Sequence, residues 1–79
     1  MTNLHYNDNS KKLICDQDPE ASHYEFCVAP SGTDNWDSEI TPFNYRIVED
    51  KSGSKIGKGR ILKNGELGVF CNPIEFNIT

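Results

Sequence analysis

Three cysteines and two histidines are the residues of this chain best equipped for chemistry, and their spacing decides which chemistry is open to them. Cys15, Cys27 and Cys71 contain no Cys-x-x-Cys pair, and His5 and His23 are far apart. A structural zinc site takes four ligands, usually as two close pairs, so this set does not have the form of one. A cysteine nucleophile needs a base beside it. His23 stands near Glu25, but no nucleophile signature accompanies either histidine, and no Gly-x-Ser-x-Gly, His-Glu-x-x-His or Walker sequence occurs. Gly57-Lys58-Gly59 lacks the length and the strand-to-helix setting of a phosphate loop. Asp16, Asp18 and Glu20 resemble the start of a calcium loop, but Ala21 and Cys27 stand where glycine and glutamate are required. No enzyme activity, cofactor or metal is therefore expected.

The chemistry that remains is a disulfide. If residues 10–15 and 22–29 form a hairpin turning near Asp18, Cys15 lies opposite Ser22 and Cys27 opposite Ser10, so these two cysteines do not meet. Cys27 and Cys71 lie in strand-like segments far apart in sequence. Joining them is worth about 4 kcal/mol in the chain-entropy model, against about 3 kcal/mol for Cys15 with Cys27. Cys27–Cys71 is the expected bridge, with Cys15–Cys71 left open. Disulfides belong to oxidising compartments, so secretion is expected, the alternative being a cytoplasmic protein with reduced thiols. No basic segment followed by an apolar one opens the chain, so a secreted form would be a mature one. Asn77-Ile78-Thr79 is a formal glycosylation sequon.

Seventy-nine residues, 35% of them hydrophobic, make one domain with a marginal core. A net charge of −4 argues against a nucleic-acid ligand, and no apolar stretch is long enough to be a transmembrane helix. The charge is unevenly spread. Arg46, Lys51, Lys55, Lys58, Arg60 and Lys63 all fall within residues 46–63 with only Glu49 and Asp50, giving that segment +4 and the rest −8.

The elements that must position these residues are strands. Residues 1–9 have no pattern and read as a flexible N-terminal arm, leaving a single β domain over 10–79. Ser10–Cys15 suits a short edge strand. Tyr24, Phe26 and Val28 alternate with His23, Glu25 and Cys27. Residues 30–42, with Trp36 among acids, read as a long loop. Asp50-Lys51-Ser52-Gly53 suits a hairpin that sets Val48 opposite Ile56 and Tyr45 opposite Gly59. Asn64-Gly65 suits a type I′ hairpin that sets Leu62 opposite Leu67 and Gly59 opposite Phe70. Together the two registers place Phe43, Tyr45, Ile47, Ile61 and Phe70 on one face over Gly57 and Gly59, with Arg46, Lys58 and Arg60 on the other. Ile74, Phe76 and Ile78 alternate as a last strand. The expected fold is all-β: a small five- or six-stranded antiparallel sandwich or barrel, stapled by a disulfide.

This layout, with Cys27 and Cys71 enclosing the central strands, resembles the small secreted β-sandwich effectors of plant-pathogenic fungi, the MAX or ToxB-like group. The resemblance covers about two thirds of the chain and implies a virulence protein that binds host proteins without catalysis. The expected function is a secreted, monomeric protein-interaction domain. It docks an acidic host protein, with no nucleic acid or membrane involved, through a sheet edge or a basic face carrying Arg46, Lys55, Lys58, Arg60 and Lys63. The alternative is a secreted inhibitor or antimicrobial polypeptide presenting loop 30–42 with Trp36 as anchor. A rigid, solvent-facing Trp36 favours the inhibitor; a buried one beside an open edge favours docking.

Overall fold

The alternation of Tyr24, Phe26 and Val28 forms the third of eight strands in the computed structural model, which describes all 79 residues. The strands are β1 (His5–Asn7), β2 (Lys12–Ile14), β3 (His23–Pro30), β4 (Asp37–Thr41), β5 (Tyr45–Ile47), β6 (Gly53–Lys63), β7 (Glu66–Leu67) and β8 (Ile74–Ile78). There is no helix. Every pairing is antiparallel, in two sheets. One has three strands, β1-β2-β5. The other has five, β4-β3-β6-β7, with β8 also on β6.

The inward residues of the two sheets meet in one core. Leu13 and Cys15 come from the smaller sheet and its continuation, Tyr24, Phe26, Val28 and Ile78 from the larger, and Val48 from the segment after β5. Leu13 and Phe26 are completely buried. The glycines of β6 let the sheets approach: a Cβ at Gly57 would meet the Phe76 ring at 3.0 Å and Leu13 at 3.2 Å. At Gly59 it would meet the Met1 sulfur at 2.5 Å. An aromatic ring does cover a strand glycine, as expected, but the ring is Phe76.

The Asn64-Gly65 hairpin forms in the expected register, Leu62 opposite Leu67, with both turn residues at positive φ (51° and 80°). Type I′ turns require that geometry. The Asp50–Gly53 hairpin does not form. β6 has two edges, and β3 occupies one while β7 and β8 share the other. β5 therefore crosses to the smaller sheet, where Tyr45 pairs with Ile14 and Ile47 with Lys12. Phe43, Tyr45 and Ile47 keep a common side, but it faces outward: Phe43 is 56% and Ile47 47% exposed.

Three further expectations change. Residues 1–9 include β1, and Met1, Leu4 and Tyr6 pack on the core. Tyr6 stacks on Phe76 with ring centroids 4.5 Å apart, and its hydroxyl donates to the Val48 carbonyl. Ser10–Cys15 contributes β2, the central strand of the smaller sheet and not an edge. The second half of loop 30–42 is β4, paired with β3.

All three cysteines are free thiols. Cys27 lies opposite Lys58 on one side of β6, while the Cys71 amide donates to the Gly59 carbonyl on the other side. Two strand spacings make about 9.5 Å, beyond the Cα separation a disulfide spans. The Cys27–Cys71 bridge would require a strand to move.

Candidate functional site

The face of the larger sheet turned away from the core gathers cations and aromatic rings. By strand alternation Phe26 and Gly59 point inward, so their neighbours Glu25, Cys27, Lys58 and Arg60 point outward. Ser38 and Ile40 of β4 lie opposite Cys27 and Glu25 on that side. Trp36, one residue before β4, continues the alternation.

Phe70 joins them because the chain slips by one residue. The Gly68 amide donates to the Ile61 carbonyl, in the register set by Asn64-Gly65. That register would put Phe70 opposite Gly59, facing the core. Instead the Cys71 amide reaches the Gly59 carbonyl. One residue of slip reverses the side chains at Phe70 and Cys71, so Phe70 turns outward and Cys71 inward. A second residue of slip before β8 restores the original facing, with Ile74 opposite Gly57.

The result is a layered cluster. The Lys58 ammonium lies 4.3 Å from the Trp36 ring centroid and 4.4 Å from that of Phe70, so it sits between two π faces. The Arg60 guanidinium lies 4.1 Å from the Phe70 centroid. The Arg60 Nε donates to one Glu25 oxygen and the Ser38 hydroxyl to the other, each at 2.5 Å. Burial opposes the charge on Glu25, but the Ser38 and Arg60 hydrogen bonds outweigh it and hold its carboxyl below the ordinary range. Beneath these side chains Cys27 is only 4% exposed.

The structure brings together three of the six expected binding residues, Trp36, Lys58 and Arg60, and separates the rest. Arg46 is on the other sheet and points inward, where it donates to the Phe26 and Asp37 carbonyls and pairs with the Asp37 and Glu39 carboxylates. Its side chain is 10% exposed. Lys55 sits near the start of β6 opposite Phe76, and Lys63 pairs with Glu20 at the far end. The expected basic face is thus largely neutralised from within. Lys51, Lys55 and Lys58 are the bases of segment 46–63 without a carboxylate partner. Phe70 escaped sequence reasoning because its side depends on the slip. Trp36 is half-buried against Lys58.

No group of three or more His, Cys, Asp or Glu side chains is placed to hold a metal ion. No protein-family model, curated protein or solved structure matches this chain.

Proposed function

We propose that this chain is a secreted, non-catalytic docking domain of effector type. It engages a host protein through the outer face of the five-stranded sheet, with Lys58 receiving a carboxylate of the partner. The observation that carries this reading is the placement of Lys58: a cation without an ion partner, held between Trp36 and Phe70. Aromatic and arginine side chains dominate protein-interface energetics, and here they are ordered before any partner arrives, which lowers the entropy lost on binding. Trp36 is half-buried under Lys58 at the end of the loop that leads into the edge strand β4, which favours docking over the inhibitor reading.

The test compares wild type with Lys58→Glu and Trp36→Ala in affinity capture from host extract, after thermal melting has verified each fold. Loss of the same captured protein by both variants, together with weakening of wild-type capture by salt, supports the reading. Capture indifferent to both variants overturns it.

Secretion would bring oxidising conditions and with them a staple. Cys15 lies in the core and Cys71, bonded through its amide to the Gly59 carbonyl, is turned by strand alternation to the same side as Gly59, so they are the pair we propose to bridge. Peptide mass mapping of unreduced, secreted protein tests this: a Cys15–Cys71 peptide supports it, and three free thiols count against both the bridge and secretion.

A further inference from the structure

A second surface is built at the free edge of β5. The Cys15 amide donates to the Asn44 carbonyl, and the Val48 amide donates to the Lys11 carbonyl. Antiparallel ladders alternate, so residues 44, 46 and 48 address β2, and the amide and carbonyl groups of Tyr45 and Ile47 point away from it. β5 ends its sheet, and no strand pairs with that side.

Exposed edges are normally protected by charge, proline, bulges or extreme shortness. The other edges of this molecule follow that rule: β1 presents His5 and Asn7, β4 carries Asp37 and Glu39, β8 carries Glu75 and Asn77, and β7 has two residues. The outward side chains along β5 are Phe43, Tyr45 and Ile47. Phe43 and Tyr45 stack at 5.5 Å. The one charge on the strand, Arg46, turns inward and is neutralised by Asp37 and Glu39.

The strand also complements itself. Run antiparallel to a second copy about Arg46, it sets Tyr45 opposite Ile47 of the other chain, twice. Aromatic and β-branched residues make favourable cross-strand pairs. In that register residues 45 and 47 form hydrogen-bonded pairs, so their four outward amides and carbonyls on each chain are satisfied together. On the inner side the two Arg46 side chains face each other across the two-fold, each already neutralised by Asp37 and Glu39 of its own chain. We propose that two copies of this chain associate edge to edge through β5, merging their smaller sheets into one continuous six-stranded sheet. The pairing is short, so the dimer is reversible. It leaves the Trp36–Lys58–Phe70 face free and does not depend on the function assigned to that face.

Sedimentation velocity over roughly a hundredfold range of concentration tests this. The mass should rise from 8.9 kDa toward twice that value. Ile47→Lys, at an exposed position, should weaken association by about tenfold or more, while Lys58→Glu leaves it unchanged. Amide exchange on wild type gives an independent reading: protection at Tyr45 and Ile47 should grow with concentration. A constant monomer mass overturns the proposal. So does association that Ile47→Lys leaves intact, or concentration-independent exchange at both amides.

Discussion

Over β3 and β6 the outer face of the five-stranded sheet is closed by its own side chains, with Lys58 and Arg60 lying over Phe70 and Glu25 held by Arg60 and Ser38, while Ile40 on the edge strand β4 stays 54% exposed. On the three-stranded sheet the outer face is open: Phe43 and Ile47 remain about half exposed, and Tyr45 is covered by the Lys12 ammonium and the Phe43 ring alone. What separates the two faces is the number of neighbouring strands. β3 and β6 are flanked on both sides, so rings and cations arrive from adjacent strands to cover them. β5 has a neighbour on one side only, and its face stays uncovered.

The largest expected effect severs the two sheets. Leu13→Ala removes the completely buried side chain by which the smaller sheet sits on Gly57, and should cost about 2–5 kcal/mol in denaturant unfolding. Gly57→Ala attacks the same contact from the larger sheet. Its methyl group would press on Phe76 and Leu13 and should cost about 1–3 kcal/mol. Glu25→Gln opens the closed face by taking the charge from a carboxylate that Arg60 needs, for about 2 kcal/mol. Phe43→Ser on the open face should change stability by no more than about 0.5 kcal/mol at low concentration. If these last two cost the same, the distinction between closed and open faces fails.

The smallest effect concerns a clasp outside both faces. Asp8 accepts hydrogen bonds from the Thr79 amide and hydroxyl and from Lys11, and these lower its carboxyl from 3.8 to about 2. A carboxyl depressed in the folded state stabilises above its unfolded value, and the contribution fades as pH falls through the folded one. Thr79 should therefore stay tied at pH 5 and loosen as pH drops toward about 2, followed by its amide resonance, with Asp8→Asn abolishing the titration.

Cysteine reactivity separates the interior from the surface in the same way. Burial pushes the Cys15 thiol up to about 11, whereas Cys71 is partly exposed. Under reducing conditions at pH 8, alkylation followed by mass spectrometry should label Cys71 well before Cys15.

The legible parts of this fold are local. The alternation of Tyr24, Phe26 and Val28 and of Ile74, Phe76 and Ile78 placed their inner faces correctly, and Asn64-Gly65 gave its own register, because each signal is complete within a few residues. The partner of β5 was not legible. An Asp-Lys-Ser-Gly turn permits a hairpin, but whether one forms depends on which strands already hold the edges of β6. Of the candidate site, Trp36, Lys58 and Arg60 could be named by residue type. Their meeting with Phe70 depends on a slip of one residue near Val69; Gly68 beside it marks a close backbone approach, but not which way the following side chains turn. The charge count also misled: the basic excess of 46–63 is a property of sequence, and Glu20, Glu25, Asp37 and Glu39 reach it only through the fold.

The central place of β6 has a kinetic consequence. Its hairpin with β7 closes over two residues and can form in about 1–10 μs. Its pairing with β3 joins segments tens of residues apart, and that with β8 must bring the chain back after the slip. The loop-closure entropy of both must be met before Leu13, Phe26 and Phe76 repay it by packing around Gly57 and Gly59. Folding should therefore wait on β6, on the millisecond-to-second scale of non-local β proteins. Substitutions that weaken its contacts with β3 should slow folding, whereas those confined to β1 or β5 should mainly speed unfolding.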